Sequence, residues 1–152
     1  MAKQAAEVVC ELAANIDDMT PEAISFAVEV LLNEGALDVY IIPVTMKKSR
    51  PAHLFTCLCR PEEAQKFAEL ILKHTTTFGV RKRVCERYTM AAEFDEVHTK
   101  YGNIKRKTGT GYGIKKSKPE YEDVSRAARE NNVSLREVLE EFYAAQDMQK
   151  ID

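Results

Sequence analysis

Along the first half of the chain the apolar positions change period in a regular order, and each change marks an element. Residues 7–14 form a short apolar strand. Over residues 20–34 the apolar set shifts to helical spacing, with Ile24, Ala27, Val28, Leu31 and Leu32 on one face and Gly35 as the stop. Thr20 is placed to cap that helix and Pro21 to be its first residue. Leu37 to Val44 and His53 to Arg60 are apolar on both faces, which predicts two central strands of a covered sheet. Between them, residues 45–52 are basic and carry no acid. Pro61 opens a second helix with Ala64, Phe67, Ala68, Ile71 and Leu72 inward, and a strand follows from about Val80 to Thr89. The order β-α-β-β-α-β is the split βαβ, or ferredoxin-like, unit of the α+β class.

The second half predicts additions to that core. Residues 93–100 and 103–107 flank Tyr101-Gly102-Asn103 as a β-hairpin, and Thr108 to Gly113 reads as a flexible, glycine-rich connection. It lacks the order of a phosphate-binding P-loop. Pro119 is expected to open a short helix ending near Asn131-Asn132. Ser134-x-x-Glu137 is a capping box for another, with Leu135, Val138, Leu139 and Phe142 inward. The expected organisation is one domain over residues 1–152, with a ferredoxin-like core at about 7–89, a basic hairpin at about 90–116 and C-terminal helices at about 119–146.

Composition agrees with a real core: 152 residues, 45% hydrophobic and 30% charged. No stretch approaches the roughly 18 apolar residues of a membrane span. The start, Met1-Ala2-Lys3-Gln4, leads into a strand rather than a signal sequence, so a cytoplasmic location is expected. Cys10, Cys57, Cys59 and Cys85 fall in apolar strand-like segments without zinc-knuckle spacing, as reduced core thiols do.

Net charge of −2 conceals an asymmetry. Lys plus Arg against Asp plus Glu is 7 to 11 over residues 1–80, 11 to 4 over 81–118 and 4 to 9 over 119–152. A block of +7 inside an acidic chain faces either a polyanion such as nucleotide phosphates or its own acidic flanks.

The residues with chemistry fall at element ends. Asp17 and Asp18 stand between the first strand and a helix N-terminus, where two carboxylates suit Mg2+ or Mn2+ carrying a phosphate. Lys47, Lys48, Ser49 and Arg50 offer point charges, a hydroxyl and one guanidinium fork for phosphates. Thr75 to Thr77 bring hydroxyls that either cap a helix or hold phosphate, with Arg81 just beyond. Lys105, Lys107 and Lys118 lie further along. In a split βαβ fold the loop after the first strand and the turn after the second helix can lie at different ends of the sheet, so a subunit interface is a possible meeting place for these groups. His53, His74 and His98 occupy three separate elements with no ligand spacing, and no Ser/His/Asp or Cys/His arrangement is evident. Chemistry here is therefore expected from a bound nucleotide and metal rather than from a side-chain nucleophile.

Five motifs in order give a more specific resemblance: Asn15-Ile16-Asp17-Asp18-Met19-Thr20-Pro21-Glu22, Gly35-Ala36-Leu37-Asp38-Val39, Pro43-Val44-Thr45-Met46-Lys47-Lys48-Ser49-Arg50-Pro51, Thr75-Thr76-Thr77-Phe78-Gly79-Val80-Arg81 and Lys118-Pro119-Glu120-Tyr121-Glu122-Asp123. From about Glu11 to Phe142 the chain resembles the C-terminal domain of the nickel insertion proteins (LarC) of nickel-pincer cofactor biosynthesis. The resemblance implies the CTP-binding part of a CTP-dependent cyclometallase, a lyase that inserts Ni2+ into pyridinium-3,5-bisthiocarboxylic acid mononucleotide with release of CMP and pyrophosphate. It also implies Mn2+ or Mg2+ with the CTP, a separate N-terminal nickel-handling domain and homo-oligomers, without membrane or nucleic acid. Carried onto this sequence, Asp17 and Asp18 are the metal candidates. Lys47, Lys48, Ser49, Arg50, Thr76, Arg81, Lys107 and Glu120 are the nucleotide candidates. His74 stands where the family pattern has an acid, and no residue is marked as catalytic.

Two other classes suit a ferredoxin-like domain with a basic hairpin: a ligand-sensing regulatory module and an RNA-binding module, both without catalysis. The second calls for paired aromatics on central strands, which Tyr40, Phe55 and Tyr88 do not supply.

Overall fold

A computed structural model describes residues 6–148 and gathers them into two compact units, one through Tyr88 and one from Thr89 onward. The first runs β1 (Glu7–Ile16), α1 (Pro21–Asn33), β2 (Asp38–Met46), β3 (Arg50–Cys59), α2 (Ala64–His74) and β4 (Arg81–Arg87). Its sheet order is β2-β3-β1-β4 and every pairing is antiparallel, which is the ferredoxin-like arrangement. The period-2 pattern of β1 sends Cys10, Leu12, Ala14 and Ile16 to one face. There they meet Phe55, Cys57 and Cys59 of β3, Ile24, Ala27 and Leu31 of α1, and Ala64, Phe67 and Ile71 of α2. Thr20 caps α1, its hydroxyl accepting from the Ala23 N–H at 3.3 Å, and Pro21 opens the helix. Leu32 and Leu72 lie on the helix flanks and are 46% and 44% exposed, so the inward face is narrower than the apolar spacing suggests.

Both middle strands were expected to be central, yet only β3 is. β2 is an edge strand, pairing with β3 alone. Pro43, which has no N–H to give a second ladder, is the residue that assigns β2 to an edge. The basic link is shorter than the sequence suggests, because β2 and β3 pair up to Met46 and Arg50 and leave only Lys47–Ser49 between them.

The second unit is a meander of β5 (Ala91–Thr99), β6 (Gly102–Gly111) and β7 (Ile114–Pro119), followed by α3 (Tyr121–Asn131) and α4 (Leu135–Met148). Val97 and Ile104 of the sheet pack with Val124 and Ala127 of α3 and Val138, Phe142 and Ala145 of α4. The Asp123 carboxylate accepts the Lys105 N–H at 2.9 Å, and the Glu120 N–H donates to the Lys105 carbonyl at 2.8 Å, so the start of α3 is fastened to β6. The Arg126 guanidinium, helped by that backbone N–H, holds Asp123 below the usual carboxylate range. The capping box forms as expected. Glu137 accepts the Ser134 N–H at 2.9 Å and the Ser134 hydroxyl accepts the Glu137 N–H at 3.2 Å. Leu135 is 41% exposed rather than inward, since it lies in the first turn beside that cap.

Two expectations for this half are corrected. Thr108 to Gly111 is not a flexible connection but the end of β6, so the added hairpin is a three-stranded sheet. Tyr112 and Gly113 close it with φ of 54° and 74°, the paired left-handed residues of a two-residue hairpin turn. Glycine at positions 109 and 111 masked the strand. Pro119 accordingly ends β7, and α3 starts at Tyr121 with Glu120 at its cap position. The basic block is divided too. On β4, Arg83 and Arg87 pair with Glu11 and Glu7, while in the second unit Arg106 pairs with Asp95 and Lys100 with Glu141. Among the described residues no helix is long and apolar enough to cross a membrane.

All three strand thiols of the core are fully buried, and Cys10 lies directly opposite Cys59. Burial, with the neighbouring thiols adding to it, pushes Cys57 up to about 12 and Cys59 to about 11, from an ordinary 9.0. Unfolded thiols release protons near 9 while the folded ones hold them, so this contribution to stability is full below pH 9 and is lost as pH rises through 11 to 12. Melting temperatures should fall over that window, and iodoacetamide at pH 8 should label Cys85, which is half-buried, well before the other three.

Candidate functional site

Antiparallel pairing fixes which loops meet. β1 and β2 run toward one end of the first sheet, and β3 and β4 run away from it. The β1–α1 loop, the β2–β3 hairpin and the α2–β4 connection therefore all emerge at that end. The sequence left open that the first and third lie apart. The structure brings them together within one chain.

Three contacts between side chains and one from a backbone N–H join the loops. Arg50 donates through Nη1 to Asp17 Oδ2 at 3.0 Å, tying the hairpin to the β1–α1 loop. The Thr76 hydroxyl donates to Asp18 Oδ1, and the Thr76 N–H points at the Met19 sulfur at 3.4 Å. Arg81 donates through Nη2 to Asn15 Oδ1 at 2.6 Å. The threonine run divides its work. Thr75 bonds the Ile71 carbonyl at the end of α2, Thr77 closes a turn on Gly79, and Thr76 alone faces a carboxylate. Lys47 and Lys48 are exposed and among the described residues have no carboxylate partner. Four cations thus stand beside two acids, all at one rim.

The hairpin holds an unusual backbone. Lys48 and Ser49 have φ of 64° and 56°, in the left-handed region where glycine or asparagine is the ordinary choice. Such residues persist where surrounding structure enforces them, and they concentrate at functional sites. Here the Met46–Arg50 pairing and the Arg50–Asp17 bond enforce them, and a lysine head and a hydroxyl project from the tip.

Among the described residues no group of three or more His, Cys, Asp or Glu is placed to hold a metal. Asp17 and Asp18 form a pair, which fits a cation that takes one or two protein carboxylates and completes its shell on a ligand's phosphates. The three histidines stay apart, on β3, α2 and β5, and His74 packs edge-on against Phe26 with ring centroids 5.9 Å apart. Lys107 and Glu120 belong to the second unit, on β6 and at the start of α3, and are not among the groups joined here.

The family model described as nickel insertion protein matches residues 1–139. The chain belongs to the nickel insertion protein family. It is 40% identical over 132 residues to the pyridinium-3,5-bisthiocarboxylic acid mononucleotide nickel insertion protein of Acetivibrio thermocellus, covering 87% of this chain and 32% of that protein. The protein of the same name from Staphylococcus saprophyticus is 43% identical over 132 residues, covering 86% and 34%. The chain thus spans about a third of the length of the curated relatives it matches. Among solved structures it superposes on LarC2, the C-terminal domain of a cyclometallase involved in the synthesis of the NPN cofactor of lactate racemase, in its apo form. The TM-score is 0.91 at 36% identity, over 94% of this chain and 99% of that one. Protein MK0293 of Methanopyrus kandleri shares the fold, at TM-score 0.65 and 22% identity.

Four of the five motifs now separate by role. The first, third and fourth are the three loops of the rim. The second, at Gly35 (φ 93°), ends α1, where the Ala36 N–H closes on the Leu31 carbonyl at 3.0 Å, and is structural. Asn15 and Met19 escaped the sequence reading as site residues. Both lie inside the first motif, one as the outward position at the end of β1 and the other between the acids and the cap, but their partners are some sixty residues away.

The left-handed hairpin makes a test of this rim. Replacing Lys48 with Gly should stabilise the fold by about 1 kcal/mol by relieving the left-handed cost of a side-chain-bearing residue. Thermal denaturation of the two proteins measures it, and no gain would mean that the turn carries no backbone strain.

Proposed function

We propose that this chain is the CTP-binding domain of a CTP-dependent cyclometallase, which inserts Ni2+ into pyridinium-3,5-bisthiocarboxylic acid mononucleotide to give the nickel-pincer nucleotide and releases CMP and pyrophosphate. Family membership and the close likeness to LarC2 support the reaction class. The observation that carries the nucleotide reading is the gathering of Lys47, Lys48, Arg50, Thr76 and Arg81 around Asp17 and Asp18 at one rim of the sheet.

Each group has a part in that reading. Lys47 and Lys48, free of carboxylate partners among the described residues, meet the β- and γ-phosphates as mobile point charges, and the Ser49 hydroxyl donates beside them. Arg50 spans phosphate and Asp17, so the hairpin is already drawn toward the acids before ligand arrives. Asp17 and Asp18 hold Mn2+ or Mg2+, with Thr76 orienting Asp18 through its hydroxyl. The metal, when bound, supplies neutralisation of the triphosphate oxygens. Cleavage between the α- and β-phosphates leaves charge on pyrophosphate, and Lys47, Lys48 and Arg81 stabilise that developing charge. Ni2+ is a substrate here, handled with a separate N-terminal domain, and the assembled enzyme is a homo-oligomer.

Calorimetric titration of the four nucleoside triphosphates, with and without Mn2+, tests the reading. Metal-dependent binding selective for CTP is expected, and absence of any triphosphate binding would end it for this chain alone. Replacing Lys47 and Lys48 together with Ala should weaken binding more than tenfold, since hydrogen bonds to charged groups contribute roughly 1.5–3 kcal/mol each. Asp17→Asn should remove the Mn2+ dependence while leaving the fold intact, because the Arg50–Asp17 pair is exposed and such pairs contribute at most about 1 kcal/mol. Unfolding of Asp17→Asn would instead mark this acid as structural.

A further inference from the structure

The second unit's sheet has one face covered by α3 and α4 and one face that they do not cover. Strand register places Ala92 and Phe94 of β5, Lys105, Lys107 and Gly109 of β6, and Lys116 and Lys118 of β7 on the uncovered face. Phe94 is 54% exposed. The ammonium groups of Lys107 and Lys105 stand 5.5 and 5.9 Å from its ring centroid. On the same face, reached through Lys107, opens a cavity of about 520 Å³ lined by Met90, Ala92, Gly109, Lys107, Lys116 and Lys118, with Thr89 and Ser117. With no side chain at Gly109, Met90 lies against the bare backbone and makes an apolar floor beneath the lysines.

Three of the lysines on this face carry uncompensated charge. Among the described residues no carboxylate lies within ion-pairing distance of Lys107, Lys116 or Lys118, although Arg106, Lys100 and Arg126 in the same unit are all paired. Glu96, the carboxylate that register places on this face, stands opposite Lys105 and accepts from Asn103 Nδ2 at 2.9 Å. Three like charges around an apolar hollow raise each other's energy until an anion enters. Phe94, across the strand pair from Lys107 of the lining, adds a flat surface for a second flat group.

We propose that this face binds one aromatic mononucleotide, its phosphate among Lys107, Lys116 and Lys118 and its ring against Phe94. Volume and composition select that ligand class. A hollow of about 520 Å³ is the size of a single small-molecule site. A nucleic-acid strand uses a succession of aromatic platforms along a groove, whereas this hollow has one beside it, Phe94. Lys107, grouped by sequence with the triphosphate contacts, thus has a site of its own, independent of the CTP reading.

Nicotinic acid mononucleotide, which carries a ring and a phosphate, serves as the probe, titrated into the Lys47→Ala/Lys48→Ala protein so that the hairpin rim is disabled. Saturable binding is expected, weakened at least tenfold by Lys107→Ala/Lys118→Ala or by the Gln pair at the same positions. Phe94→Ala should weaken the mononucleotide several-fold and leave inorganic phosphate unchanged. Amide shifts at Lys107, Gly109 and Lys118 in a nitrogen-15 spectrum should report the binding and confirm that the variants fold. No saturable binding, binding indifferent to both lysine pairs, phosphate binding as tightly as the mononucleotide, or tighter binding of an eight-residue uridine oligonucleotide would each overturn the proposal. Failure of CTP to bind the unaltered chain would count against the preceding reading and not against this one.

Discussion

The antiparallel insertion of β1 between β3 and β4 is the constraint on which the candidate site depends. With Ile16 opposite His53 and Ala13 opposite Arg81, the end of β1, the start of β3 and the start of β4 are fixed to one rim. A shift of one residue would turn Cys10, Leu12, Ala14 and Ile16 out of the core. The same slip would carry Asn15 off the face it shares with Arg81. Hydrophobic burial thereby sets the geometry of polar groups that contribute little to stability themselves. The three inter-loop bonds are exposed, and exposed polar contacts contribute little, so they orient the loops rather than hold the fold.

The two units handle charge differently. In the first, Arg83 and Arg87 lean on glutamates of the neighbouring strand, and the acids at the rim each have a partner. In the second, the covered side is fastened by ion pairs and by the double tie between Lys105 and the start of α3, while the uncovered side collects lysines against a single carboxylate, Glu96. Within this unit the Arg106–Asp95 pair lies on the packed side of the sheet, and Lys107, Lys116 and Lys118 lie unpaired on the other.

How much of this could be read from sequence follows from how local each signal is. The order βαββαβ, the Thr20-Pro21 start and the Ser134–Glu137 box are encoded within a few residues, and they appear as expected. β2 as an edge was also encoded, by Pro43, but apolar residues on both of its faces outweighed that one residue. The end of β6 and all of β7 were obscured because Gly109 and Gly111 interrupt the strand signal and the turn that follows has left-handed residues that include Tyr112. At the rim, each candidate residue stood out by type, whereas the pairings of Asn15 with Arg81 and of Asp18 with Thr76 cross more than fifty positions and depend on topology alone.

The borders of the first sheet have a consequence for how copies of this protein meet. On one side β2 carries Pro43, which interrupts the row of free backbone donors. On the other, β4 presents Arg81, Lys82, Arg83 and Arg87 in seven residues. Neither border is a template for another strand, because one lacks a donor and the other repels its like. Edge-to-edge pairing of this sheet with another copy is disfavoured on both sides. Contacts through this sheet are thereby left to side chains on its faces, where single substitutions can tune them without endangering the backbone.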